Sequence, residues 1–483
     1  MLNLKRIFIF ACCWYFPLSL WAEIAPIVSI QAEVSPAECN PLYRHKLHVK
    51  QTFHYDTCTN NEKVFSIKSS SILAQGLWCG NLQEITKTYA EFVHVDEQQI
   101  ADLLSDFEFS VYINQEKIKK YKILKYNGAG IKVIVPLRKN NQHAFDITLE
   151  YDYFSDYFMP WRSLSTQQHL AFCPFWDYWD IWYFSTDAME WGSMNVTLAD
   201  TNNTYFLTNQ QYTSYDSIYT ISINPQGEGV CMFLLDSVLY NHTEVQVENA
   251  KIGLYLQKLF DVSDDCEISD VHDRDYRQYM PRLQQWISLL EQFTADSMPR
   301  QFDIIDGSMA MFEGMGYGTA VRNDRQYIVF ADSGFWNMPG MVHEITHCYL
   351  DYACDTMAGR YLFSESFAEL VAAYVFCNKD TSAMSEILTS HYNILSEKDY
   401  NKSIFDVRSN TFSSNSWVIY YKVPYVLFRF AQRIGFERFM DLLSGYVVRL
   451  EKQNLSANIQ DFEQYLKAYG VSDEDWNWLY NAL

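Results

Sequence analysis

The chain is 483 residues long, 17% aromatic, and carries a formal net charge of −22 from 37 basic and 59 acidic side chains. That length accommodates two or three domains with real cores, and the aromatic content excludes a disordered protein. The acidity argues against nucleic-acid binding, which needs a basic footprint along the phosphate backbone.

At the N-terminus, Lys5 and Arg6 precede a mostly apolar run from Ile7 to Trp21, and Ala22 follows as the small residue at a cleavage point. This is the pattern of a secretion signal. Residues 1–22 are expected to be removed and the mature protein to be exported, periplasmic or secreted, with no stable membrane insertion. No later run of about 18 apolar residues follows. Export permits disulfides, and of the 11 cysteines Cys39, Cys58 and Cys79 are the best candidates because they cluster. No pair has the C-x-x-C spacing of a thiolate zinc site.

From residue 23 to 268 the pattern is strand-like. Lys46 to Phe53, Phe107 to Ile113, Ile131 to Pro136 and Phe145 to Tyr151 alternate apolar with polar residues, and turn signals separate them. Such repeated short strands predict a β-rich sandwich or saddle. The aromatic stretch Phe172 to Trp179 reads first as core or inter-sheet packing. From 269 to 483 the character changes. Asp275 to Phe293 has apolar residues at helical spacing, with Pro281 in its first turn. Phe302 to Ile305 and Tyr327 to Phe330 read as strands. Helices are expected at the segment after Gly340-Met341-Val342, at Glu365 to Phe376, Trp417 to Ile434 and Phe436 to Leu450, with Pro424 interrupting the third of these and Gly435 at the last junction. The fold class is α+β: a β-rich domain over 23–268, then a mixed and finally helical domain over 269–483.

His343-Glu344-Ile345-Thr346-His347 carries the chemistry. Histidines four apart lie on one face of a helix, where both imidazoles can bind one metal ion, and the glutamate between them can take a proton from water at that ion. A catalytic zinc needs a third protein ligand and one open position. A third histidine in the same motif is excluded, because Leu350 and Ala353 stand where its glycine and histidine would be. Glu365 opens the later segment Glu365-Ser366-Phe367-Ala368-Glu369-Leu370 and is the favoured third ligand. Glu369, one turn further along the same face, competes with it or orients a histidine.

With those residues, the chain resembles the gluzincin peptidases, and among them the aminopeptidase N-like family, whose third ligand sits in an Asn-Glu-Gly-Phe-Ala segment. The resemblance implies a saddle-like β domain ahead of a thermolysin-like catalytic domain, one Zn²⁺ ion held by His343, His347 and Glu365, Glu344 as general base, and a peptide or protein substrate. In that family a tyrosine in Tyr-x-Lys-Gly stabilises the transition state, and Tyr420 of Tyr420-Tyr421-Lys422-Val423 is the matching position. The matches span about residues 340 to 440, and the chain departs from the pattern at several points. One residue fewer separates His347 from Glu365, Ser366 and Val423 replace glycines, and the long helical C-terminal domain of full-size members is not expected. The family's Gly-x-Met-Glu-Asn strand, which receives the substrate's free amino group, has its nearest match in Met311-Phe312-Glu313-Gly314, without the asparagine. Glu313 is thus the candidate substrate-binding residue. Aminopeptidase and endopeptidase action both stay open, as do a zinc hydrolase of non-peptide substrates and a peptide-binding protein with a retired site.

Overall fold

The computed structural model describes residues 25–36, 45–57, 61–67, 98, 108–126, 130–137, 144–153, 172–175, 182–186, 189–198, 204–208, 210–223, 230, 232–237, 240–262, 268–294, 300–307, 319–323, 326–332, 336–337, 339–350, 354, 359, 361–407 and 412–483. The chain divides into two compact units, Met1–Ser163 with Gln167–Asp236, and Leu164–Thr166 with Ser237–Leu483.

An eight-stranded sheet dominates the first unit. Its centre is β1 (Ile27–Pro36), β2 (His45–Tyr55), β3 (Phe145–Tyr153) and β4 (Glu190–Leu198), in the order β4-β1-β2-β3. β1 runs parallel to β4 and antiparallel to β2. The alternation read for Lys46 to Phe53 is realised as a buried face, with Leu47, Val49, Phe53 and Tyr55 on β2, and β1 adds Val28, Ile30, Ala32 and Val34 to it. A three-stranded sheet of Glu62–Ile67, Gly130–Pro136 and Lys122–Tyr126 shares that core, and Phe53 meets Phe65 with ring centroids 4.5 Å apart. Gln51 is a polar residue within this core. It is fully buried, and its amide donates to the Phe184 carbonyl (2.7 Å) while its oxygen accepts the Phe184 N–H (2.8 Å). Of the aromatic stretch, Phe172–Phe175 forms a strand paired with Met232–Asp236; residues 176–179 lie outside the described residues, as do Cys39, Cys58 and Cys79.

The second unit is built on a five-stranded mixed sheet. The hairpin of β5 (Tyr240–Val247) and β6 (Ala250–Gln257) leads, through the helix α1 (Met280–Leu290), to β7 (Arg300–Gly307), which lies parallel to β6. Beyond it come β9 (Gln326–Asp332), parallel to β7, and β8 (Thr319–Asn323), antiparallel to β9. The division between units therefore falls at Asp236/Ser237, ahead of the 268/269 boundary expected from composition. The sequence places residues 240–257 in the strand-like stretch but does not say which sheet they join; β5 pairs with β6 and β6 with β7, which places them here. Among the described residues no helix is long and apolar enough to cross a membrane.

Helices follow: α2 (Pro339–His347) packs on β8 and β9, α3 (Phe367–Phe376) on α2, α4 (Val423–Ile434) on α3, and α5 (Phe436–Gln453) on α4. The sequence of α3 is apolar all round apart from Glu369, and the helix is accordingly buried in the core. α2 begins at Pro339, so Gly340-Met341-Val342 forms its first turn instead of leading into it. Gly435 takes φ +101° between α4 and α5, a conformation that only glycine adopts without strain.

Candidate metal centre

The segment entering α2 is anchored from two sides. Arg282 of α1 donates to the Trp336 carbonyl (2.7 Å) and to Asn337 Oδ1 (2.8 Å), and the Trp336 ring stacks on Trp286 at 5.9 Å. At the other end of the helix, the buried Arg300 of β7 donates to the Cys348 carbonyl and pairs with Glu451 of α5 at 3.2 Å. A cation there complements the partial negative charge of the helix C-terminus. With both ends held, α2 buries Met341, Val342, Ile345 and Thr346 in the core, and its periodicity turns His343 and His347 toward α3 and toward Glu365 and Tyr420.

The two imidazoles converge. His343 Nε2 and His347 Nε2 are 3.0 Å apart, and Glu365 Oε2 lies 3.6 Å from each. A zinc ion with nitrogen and oxygen ligands at about 2.0–2.2 Å in a tetrahedral arrangement spaces its ligand atoms about 3.3 Å apart. The triangle of donors fits that spacing. Glu344 also lies within 4.8 Å of both histidines as a potential donor, but its Oε1 comes no nearer than 3.9 Å to His343 Nε2, which leaves it beside the triangle. Glu369 faces the other nitrogen of the first histidine, with Oε1 3.4 Å from His343 Nδ1. Tyr420 donates its hydroxyl to Glu365 Oε2 at 3.0 Å.

Glu365 and Tyr420 are not in α-helix. Each lies in a wider π-type turn, Tyr361–Ser366 ahead of α3 and Val418–Lys422 ahead of α4. In the second of these the Val423 N–H bonds to the Val418 carbonyl, five residues back. Such turns bring side chains off the α-helical register and recur at functional sites. The two turns touch: the fully buried Ser366 donates its hydroxyl to the Ile419 carbonyl at 2.7 Å.

The electrostatics favour positive charge. Burial of the His343 ring works against protonation, yet the carboxylates of Glu369, Glu365 and Glu344 outweigh it and raise its pKa. Burial also works on Glu365, but the two histidines overcome it and hold the carboxyl well below its usual range, as a ready anion. Glu344 is shifted up by burial, with His343 and His347 opposing. That moves it toward the neutral range in which a general base is poised. Burial raises Glu369 likewise. Burial, reinforced by Glu365 and Glu344, keeps the Tyr420 phenol protonated far above its usual range, so it remains a donor.

The structure thus brings together His343, Glu344, His347, Glu365, Glu369 and Tyr420; Glu313 lies outside the described residues. Glu365, expected to open a helix, is the next-to-last residue of a π turn that runs on into α3. Ser366 stood out in the sequence as a departure from a pattern, without a role. The signal that could have found its partner is Pro424, five residues after Ile419.

Compared by sequence, the chain matches no protein-family model and no curated protein. Compared by structure, it is similar over nearly its whole length to several solved proteins. An aminopeptidase N family protein from Idiomarina loihiensis aligns with TM-score 0.57 and 10% identity, over 95% of this chain and 76% of that one. A mutant M1 zinc metallopeptidase from Deinococcus radiodurans, bound to a Tyr-Ser-Ala substrate, aligns with TM-score 0.51 and 9% identity over 96% and 95%. Yeast LTA4 hydrolase in complex with bestatin aligns with TM-score 0.51 and 10% identity over 94% and 67%. At these identities the likeness is one of fold. The chain has the β-then-helical α+β fold of the M1 zinc metallopeptidases.

Proposed function

We propose that this chain is a zinc-dependent metallopeptidase that hydrolyses peptide bonds, aminopeptidase-like in specificity. The observation that carries the proposal is the donor triangle of His343, His347 and Glu365, with edges of 3.0 to 3.6 Å, flanked by a buried Glu344 and a protonated Tyr420. The shared fold supports a peptidase, and the tripeptide held by the Deinococcus radiodurans protein supports a short peptide as substrate. On the sequence of residues 1–22 we place the mature protein outside the cytoplasm.

His343, His347 and Glu365 would hold one Zn²⁺. When bound, the ion supplies Lewis acidity, which acidifies water toward neutrality and polarises a carbonyl. Glu344 takes the proton of the attacking water on its carboxylate and yields it to the leaving amine. Tyr420 gives its O–H to the oxyanion that forms at the scissile carbonyl, a donor worth about 10²–10³ in rate at comparable sites. Glu369 orients the His343 ring through Nδ1, so that Nε2 faces the ion. Glu313 is the residue we assign to the substrate's α-ammonium group.

Glu344→Gln tests the proposal. Zinc content by mass spectrometry is expected to stay at one ion per chain, while turnover of a mixed peptide library falls by about 10³ or more. Unchanged turnover in that variant would sink the assignment of the base. In the same library, release of N-terminal residues supports the aminopeptidase reading and internal cleavage replaces it with an endopeptidase. Zinc retention without any peptide turnover in the wild type leaves a hydrolase of other substrates. A wild type without zinc is a retired site.

A further inference from the structure

We propose that Ser366 is a positioning residue that locks the ligand-bearing and tyrosine-bearing turns together, by supplying the hydrogen bond that Pro424 denies to the Ile419 carbonyl. The inference rests on the reading above in that Glu365 and Tyr420 serve one site, but the clasp itself has its own geometry. In an α-helix the Ile419 carbonyl would accept from the N–H of residue 423; in a π turn it would accept from that of residue 424. The Val423 N–H is committed to the Val418 carbonyl. Residue 424 is a proline and has no N–H. Both backbone partners of Ile419 are therefore removed, in a buried stretch where an unpaired carbonyl is costly. The Ser366 hydroxyl fills the gap at 2.7 Å, from a side chain that is itself fully buried.

The position of this bond gives it leverage. Ser366 directly follows Glu365, and Ile419 directly precedes Tyr420. One hydrogen bond thus ties the residue after the carboxylate to the residue before the phenol, alongside the Tyr420 to Glu365 bond of 3.0 Å. A serine is the smallest side chain that can make it; glycine or alanine leaves the carbonyl without a donor. Ser366 and Pro424 are complementary, since the proline creates the acceptor that the serine satisfies.

The test is a double-mutant cycle on the full-length, zinc-loaded protein with Ser366→Ala, Pro424→Ala and the pair. Ser366→Ala is expected to lower kcat about tenfold and zinc affinity, measured by competition with a chromophoric chelator, by a similar factor, with KM little changed. Pro424→Ala returns an N–H to position 424, so adding Ser366→Ala to that background should change kcat and zinc affinity by less than about twofold. The proposal is overturned if Ser366→Ala leaves both quantities unchanged in correctly folded protein, or if it costs the same in both backgrounds. Should the wild type neither retain zinc nor cleave peptides, the functional reading fails on its own account. The clasp is then read from chelator-treated protein. A fall in the denaturant midpoint on Ser366→Ala that vanishes in the Pro424→Ala background supports it, and equal falls overturn it.

Discussion

A single carboxylate can contribute to a metal site in two different ways, and Glu365 and Glu369 illustrate both. From the sequence they are neighbours on one helix face, with Glu365 favoured as the ligand and Glu369 competing with it or orienting a histidine. In the structure Glu365 faces both Nε2 atoms while Glu369 faces only Nδ1 of His343. Removing a ligand and removing its support have different consequences. Glu365→Ala is expected to abolish stoichiometric zinc retention through dialysis, whereas Glu369→Ala should weaken affinity by about 10–100-fold and leave the stoichiometry intact when zinc is in excess; equal losses would refute the division. Asp303, on β7, is a half-buried carboxyl of another kind. Burial, with help from the nearby Glu244 and against Lys251, pushes its pKa up from 3.8 to about 7. It lies across Gly253 of β6, where a methyl group would overlap its carboxylate. An acid whose pKa is raised by folding binds its proton more tightly in the folded chain. Its cost is absent below the unfolded pKa of 3.8, grows as pH rises from there to about 7, and is constant above. The slope is at most ~1.4 kcal/mol per pH unit. Asp303→Asn should therefore be more stable than wild type at about pH 8, with the advantage gone by about pH 4. Denaturant titrations of the metal-free protein across that range measure it, and a pH-independent difference would refute it.

At the scale of elements, the apolar periodicities of α1, α4 and α5 were legible, as were the strands β2, β3, β7 and β9, because burial on one face is what those patterns encode. What escaped was the local hydrogen-bonding register. A helix that widens to a π turn keeps its apolar stripe, so the pattern of Trp417 to Ile434 reads as one helix although Val418–Lys422 is wider than its surroundings. Pro424 announces an interruption, and the structure places it in the first turn of α4, where its missing N–H is best tolerated. Gly435 was legible as a junction for a firmer reason. Its φ of +101° lies in a region that a Cβ disfavours. Gly435→Ala is expected to destabilise the protein by about 1–2 kcal/mol, measured as a shift in denaturant midpoint, with zinc affinity unaffected. A neutral effect would mean that the turn between α4 and α5 can relax.

For the whole molecule, the order of a β-rich part before a mixed and helical part could be read from composition, while the point of division could not. Two strands with the same alternation belong to different units only by virtue of what they pair with. The fold likeness at about 10% identity has the same origin: one burial pattern can be built from very different residues. All six residues gathered at the candidate centre belong to the second unit, which has a core of its own running from Val247 to Leu483. A ligand that binds only folded protein stabilises it by about 2.7 kcal/mol at 100 times its Kd. Zinc should accordingly raise the thermal transition that involves Ser237–Leu483, and a chelator should lower it. In calorimetry, a metal effect confined to the transition of the first unit would contradict the location of the site.

The two π turns also bear on how this protein relates to others by length. A π turn holds one residue more than the α turn it replaces, so it is slack stored inside a helix. Deleting one residue from Val418–Lys422 would tighten it to α-helix without breaking the rod, and the helical stretches on either side would nearly keep their places. Residue counts between motif positions can thus differ by one between chains whose side chains occupy the same places in space. The count from His347 to Glu365 is one short of the resembled pattern although it ends in such a turn, so the extra residue of the turn does not account for it. A search that demands fixed spacings measures the tape, and here the tape has play in it at both residues that matter most.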